Sequence, residues 1–324
     1  MRLRRSWARW EFCNSMDEGN KRHTPVLLRE TVEGLALAPD ATVIDATLGS
    51  GGHFSAILVK LGLHGTVLGV DADPIAVARV AQEIAQKDTQ YARVLFATGN
   101  FRNISEIAKT QGLTEVDAIV ADLGWRSEQF GSSRELGGGK GFSFSADEPL
   151  RMTFGDPATY PFTAADIVHS WREEDIAAVL KGYGEERFAR RIAHAIVARR
   201  ETKPIETSAE LAGVVEQAIP SKYRRGRIHP ATKTFQALRI AVNDELDALR
   251  EFIMASCALL SPCGRLAIIT FHSLEDRLVK QALRALEETG SMRRVTKKPI
   301  TPTAEETKTN PRARSAKLRI AEKI

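Results

Sequence analysis

Val43-Ile44-Asp45-Ala46-Thr47-Leu48-Gly49-Ser50-Gly51-Gly52-His53 decides the fold of this chain. An apolar run enters an acid and then a small, glycine-dense turn. Phe54 to Leu61 continue with helical patterning, and Thr66-Val67-Leu68-Gly69-Val70 form a second apolar run closed by Asp71. The order is strand, glycine loop, helix, strand, acid. Glycines without Cβ atoms let a backbone approach a ligand closely. An acid at the tip of the second strand accepts hydrogen bonds from ribose hydroxyls. A glycine turn in an ordinary α/β domain shares the loop, but the acid at this offset points to a nucleoside.

A third apolar segment, Ala118-Ile119-Val120-Ala121, ends in Asp122-Leu123-Gly124. Ligands in open α/β sheets bind outside the carboxyl ends of the strands, so three such ends define one crevice. The loop reads Asp-x-Thr-x-Gly-x-Gly-Gly and lacks the G-x-G-x-x-G spacing that seats a pyrophosphate. A sulfonium cofactor has no phosphate to place. S-adenosyl-L-methionine is therefore favoured over a nicotinamide dinucleotide, and an oxidoreductase is disfavoured.

Outward from the loop, strands near Val43–Ala46, Thr66–Val70, Val94–Ala97 and Ala118–Ala121 alternate with helical segments, which predicts a parallel sheet. Gln129 to Asp156, rich in Gly, Ser and Phe, reads as a long functional loop. From Thr163 to about Ile219 the period is helical. One helix opens at Thr163, others span Glu173–Leu180 and Glu185–Arg200, and a fourth opens at Thr207 with Glu210 in the capping-box position. This predicts an all-helical domain inserted into the α/β domain. A single helix, Thr232 to Leu260, then precedes a break at Ser261-Pro262-Cys263-Gly264 and a strand at Arg265–Thr270 that runs into Phe271–Arg277. Late strands near Arg293–Lys297 and Leu318–Ala321 suit an antiparallel edge hairpin. The expected division is a disordered leader at 1–22, the α/β domain at 23–130 and 229–324, and the loop with its helical insertion at 131–228.

The 324 residues are 43% hydrophobic with a formal net charge of +5, enough for a sizeable core and permissive of a nucleic-acid partner. Basic runs occur at Arg187–Arg200, Lys222–Arg227, Arg293–Lys298 and Arg312–Arg319. The first reads as a solvated helix face. In the second, Arg224, Arg225 and Arg227 are expected on RNA phosphates, and the fourth is a comparable candidate. Cys13, Cys257 and Cys263 form no C-x-x-C pair, which argues against a disulfide framework and a zinc site. No apolar run reaches membrane-spanning length. The Arg-rich leader lacks an apolar secretory core. It reads as a disordered extension or an early-assigned start with Met16 as the true one; a mitochondrial transit peptide is the alternative to a cytoplasmic protein.

Several ordered blocks carry a resemblance: His23-Thr24-Pro25-Val26-Leu27-Leu28, Asp45 to His53, Asp122-Leu123-Gly124 with Gln129, Gly141-Phe142-Ser143-Phe144, and Tyr183-Gly184-Glu185-Glu186-Arg187. His229 to Ile240, Asn243-Asp244-Glu245-Leu246, Phe271 to Arg277 and Asn310 to Arg319 continue it. From His23 to Lys323 the chain resembles the ribosomal-RNA small-subunit methyltransferase H (MraW) family, which methylates N4 of a cytidine in the decoding region of 16S rRNA. The resemblance implies a Rossmann-like class I methyltransferase domain with a helical insertion. It implies cofactor contacts at Gly51, Gly52, His53, Asp71, Phe101, Asp122 and Gln129, no metal, and 16S rRNA in the small ribosomal subunit as partner; a homodimer is left open. Asp122, with His272 and Glu275 as secondary candidates, is expected to serve the chemistry, and Ser273 reads as a helix cap.

The chain departs from the family's D-L-G-V-S-S-P-Q-L-D at Trp125-Arg126-Ser127-Glu128-Gln129-Phe130. The family's P-L-D-M-R-M-D becomes Pro149-Leu150-Arg151-Met152-Thr153-Phe154-Gly155. Arg151 and Thr153 replace an acid and an arginine expected to pair, so restoring both is expected to keep or raise activity. The rival to the enzyme is a weakened or retargeted paralogue that binds cofactor and RNA.

Overall fold

The computed structural model describes residues 25–86, 92–123, 139–144, 147–224 and 229–324. Within these the chain divides into two compact units, Met1–Arg126 with Leu246–Ile324, and Ser127–Glu245.

The first unit is built on a seven-stranded sheet: β1 Thr42–Asp45, β2 Thr66–Asp71, β3 Arg93–Thr98, β4 Val116–Asp122, β5 Leu260–Thr270, β6 Met292–Arg294 and β7 Lys317–Lys323. The order is β3-β2-β1-β4-β5-β7-β6. The first five strands are parallel, and β7 runs antiparallel between β5 and β6. The late strands thus pair as the sequence suggested, with β6 at the edge. Val43, Ile44, Val67, Leu68, Ile119, Val120, Ile268 and Ile269 are fully buried, as strands covered on both faces must be. The connection runs outward from β1 to β2 and β3 on one side, then returns to β4 and β5 on the other. β1 and β4 therefore flank the topological switch point.

The second unit holds the helices Ala164–Ser170, Glu173–Gly184, Ala189–Thr202, Ser208–Ala218, Ser221–Arg224 and Thr232–Asn243. Thr163 caps the first in a full capping box with Asp166. Thr207 caps the helix from Ser208 by accepting from the Glu210 N–H; the Glu210 carboxylate reaches Glu206, one residue short of closing the box.

Two expectations change. The helix predicted over Thr232–Leu260 is two, because Asp244 adopts a left-handed backbone at φ 49°. Asn243 is buried and bonds Met152 O and the Phe154 N–H, which holds the first helix end in place. The return to the α/β unit also falls later than residue 229. Thr232–Asn243 packs against Glu173–Gly184, where a Cβ on Gly184 would sit 2.6 Å from Lys233 O. That helix belongs with the insertion.

Candidate cofactor and methyl-transfer site

The glycine loop leaves β1 at the switch point and opens the helix Gly52–Lys60. Gly51 stands at φ 79°, a region that L side chains rarely adopt. A Cβ on Gly52 would lie 2.1 Å from Pro25 Cγ, so the segment before the first helix packs directly onto the loop. Asp71, at the tip of β2, accepts the Gly49 N–H at 2.8 Å and the Asp73 N–H at 2.9 Å. Arg79 bonds Gly49 O at 3.1 Å. The loop is thus held both to β2 and to the helix Pro74–Ala85 that follows it.

Asp122 ends β4, and its N–H donates to Thr47 Oγ1 at 2.6 Å. His53 lies between Asp122 Oδ2, 3.6 Å from its Nδ1, and Val26 O, 3.2 Å from its Nε2. Burial holds the His53 imidazole below its ordinary pKa, against the pull of Asp122 and Val26. Asp45, at the end of β1, is buried and pushed up to about 7. Burial is the main cause, the negative Asp122 and Asp71 add to it, and the Thr47 N–H offsets part. Among the described residues Asp45 Oδ2 has no hydrogen-bond partner.

The strand ends therefore bring Asp71, Asp122, Gly51, Gly52 and His53 together. Phe101 follows β3, half-buried, with its ring edge-to-face on Phe252 at 5.1 Å. Part of its surface is thus core packing. Gln129 lies outside the described residues.

His272 and Glu275 follow β5, whose Ile269 pairs with Asp122 of β4, and they also form a helix cap. His272, not Ser273, caps the helix Ser273–Glu288. It accepts from the Glu275 N–H, while Glu275 accepts from the Phe271 and His272 N–H groups. Their side chains also meet at 2.9 Å, both largely buried. The sequence pattern marked these residues but not this bond, because a His is an uncommon cap.

Asp45 and Thr47 were missed as functional residues. The available signal was an acid immediately before the loop.

Among the described residues, several members of the basic runs make internal bonds. Arg224 donates to Ile219 O and Gln217 O and so caps the end of the Ser208–Ala218 helix. Arg225 and Arg227 lie outside the described residues. Lys317 and Arg319 both bond Asp276, at 2.9 and 2.8 Å. Burial pushes Asp276 up, but these two cations outweigh it and hold the carboxyl below its ordinary value. In the second unit, Tyr223 is 40% exposed, with Lys222 and Arg187 each 5.1 Å from its ring centre and Phe188 beside it.

The chemistry of these donors fits S-adenosylmethionine. Asp45, Asp71 and Asp122 stand at neighbouring strand ends, and among the described residues Asp45 Oδ2 lacks a hydrogen-bond donor. A ligand bearing a sulfonium and an ammonium answers both.

The family model described as the MraW methylase family matches residues 20–324. The chain is 42% identical over 317 residues to a ribosomal RNA small subunit methyltransferase H from Brevibacillus brevis, covering 93% of this chain and 98% of that protein. It is also 42% identical to one from Symbiobacterium thermophilum, covering 93% and 96%. A solved rRNA methylase from Streptococcus thermophilus aligns with a TM-score of 0.43 at 11% identity, over 94% of this chain and 99% of that one. With nearly the whole chain matched, this protein belongs to the MraW methylase family.

Proposed function

We propose that this protein transfers a methyl group from S-adenosylmethionine to N4 of a cytidine in the decoding region of small-subunit rRNA. Family membership supports methyl transfer from this donor, and both relatives are named for small-subunit rRNA. The observation that carries the reading is Asp122 at the end of β4, beside the glycine loop and backed by His53. When bound, the cofactor supplies an electrophilic methyl group. Gly51, Gly52 and Asp71 would hold it, with Asp45 facing its positive end.

Cytosine N4 is a poor nucleophile because its lone pair is delocalised into the ring. A carboxylate accepting an N4–H bond returns electron density to that nitrogen, which assigns this role to Asp122. Positioning supplies most of the remaining acceleration, and effective molarities for oriented reactants are worth roughly 7–11 kcal/mol. The target base must leave its stack to reach the site. We read His272 and Glu275 as a helix cap, on their mutual hydrogen bonds, rather than as acid and base.

Small subunits from a strain lacking this methylation, incubated with the protein and labelled cofactor, should yield N4-methylcytidine. Asp122→Asn should lower the rate on the order of 10²-fold or more, the usual scale for a lost proton acceptor. Cofactor binding without transfer to subunits would support the paralogue instead.

A further inference from the structure

His53 shows an arrangement that cofactor contact does not explain. Its ring is 6% exposed and lies between two oxygens: Nε2 at 3.2 Å from Val26 O, and Nδ1 at 3.6 Å from Asp122 Oδ2. A carbonyl oxygen only accepts, so the Val26 contact requires the proton on Nε2. Burial keeps the ring neutral, so Nε2 carries its single proton. Nδ1 is then a lone pair facing a carboxylate. At 3.6 Å the two are too far apart for a hydrogen bond, a spacing that suits two acceptors with no proton between them.

The Val26 carbonyl is itself held in place. Leu27 is fully buried in a left-handed conformation at φ 51°, and its N–H donates to Glu306 Oε1 at 2.7 Å. Pro25 packs against Gly52. The tautomer of His53 is therefore set from outside the glycine loop.

We propose that His53 is the proton store behind Asp122: the proton released from N4 passes to Asp122 and is taken up at His53 Nδ1. This rests on the methyl-transfer reading above. The N4 lone pair forms the N–CH3 bond while the S–CH3 pair returns to sulfur, leaving a thioether. N4 then carries excess positive charge and gives one proton to Asp122. Transfer to Nδ1 leaves an imidazolium beside the Asp122 carboxylate, with the Nε2–H still on Val26 O. Of the neighbouring acids Asp122 is the one that favours this cation; Asp45 from β1 is itself pushed toward the neutral form, Asp71 from β2 holds the Gly49 N–H, and Arg79, from the helix Pro74–Ala85, is tied to Gly49 O. The proton leaves by way of Asp122, whose side chain is 18% exposed. His53 acts through Asp122 and touches no substrate.

Nitrogen-15 NMR of histidine-labelled, cofactor-free protein tests this directly. At neutral pH the His53 Nε2 should carry the proton and Nδ1 should be of the pyridine type. Nδ1 should take up a proton as pH falls, at a lower midpoint in Asp122→Asn, which removes the supporting charge. A proton on Nδ1 at neutral pH, or a midpoint unmoved by Asp122→Asn, overturns the proposal. In kinetics, His53→Gln keeps a donor for Val26 O but no proton acceptor. It should lower kcat on the order of 10²-fold and abolish the acidic limb of its pH profile, with cofactor KM changed less than about threefold. An unchanged kcat, or a loss confined to cofactor KM, overturns it. If His53→Gln does not fold, the spectra of the unmodified protein and Asp122→Asn decide. Failure of the methyl-transfer reading shows separately, as wild-type protein that yields no N4-methylcytidine.

Discussion

Burial at the end of β1 sets the chemistry of Asp45 before any ligand arrives. Its carboxyl is pushed up to about 7, mainly by desolvation and then by Asp122 and Asp71. A raised carboxyl contributes stability that is full below the unfolded value of 3.8 and is lost as pH rises through about 7. Asp45→Asn removes that titration. It should raise the melting temperature of the cofactor-free protein well above pH 7, by up to a few kcal/mol equivalent, with little gain near the unfolded value. Thermal melts at the two extremes check this, and an equal gain at both refutes it. Asp71→Ala should weaken cofactor binding by about 1.5–3 kcal/mol, the cost of a lost charged acceptor. Titration calorimetry showing the same affinity would remove Asp71 from the ribose site. Asp71 and the glycines were legible in the sequence because their roles follow from a local offset between strand and loop. The state of Asp45 was not, since it depends on neighbouring strands closing over it. Nor was the Val26 partner of His53, which lies upstream of the motif and meets it only through packing.

Elements were legible where their signals were local. The first four of the five parallel strands, the caps at Thr163 and Thr207 and the late antiparallel pair follow from period and capping chemistry. The break at Asp244 was hidden, because helical patterning continues across it and the cause is Asn243 bonding to the distant Met152 and Phe154. His272 carries two readings: its motif draws attention as chemistry, and the helix it caps gives it a mechanical role as well. His272→Ala should cost about 0.5–2 kcal/mol of stability and leave the methyl-transfer step within about threefold at permissive temperature. Denaturant melts beside single-turnover rates measure both. A rate loss near 10²-fold with stability intact would return His272 to the chemistry.

At the scale of the whole molecule, an α/β unit interrupted by a helical one was readable from the change of period, and the family from the motif blocks. The altered loop was not readable. Arg151 is exposed, whereas Thr153 is fully buried with its hydroxyl on Gly155 O. The sequence suggested that arginine at 153 would restore a lost pair. Here it would place a guanidinium in a site packed for a threonine. Thr153→Arg should therefore destabilise the protein by about 3 kcal/mol or more, even with Arg151→Asp beside it. Equal melting temperatures for wild type and the double variant would show that the site opens to take the charge.

Nucleoside-resolved mass mapping of small-subunit rRNA tests methylation at cytidine N4. Three strains would be compared: the deletion, the deletion restored with this gene, and the deletion restored with its Asp122→Asn form. One decoding-region cytidine should lose its N4-methyl group on deletion, regain it with the wild-type gene, and stay unmodified with Asp122→Asn. An unchanged methylation map on deletion, or a methyl group restored on a different base or atom, would contradict it.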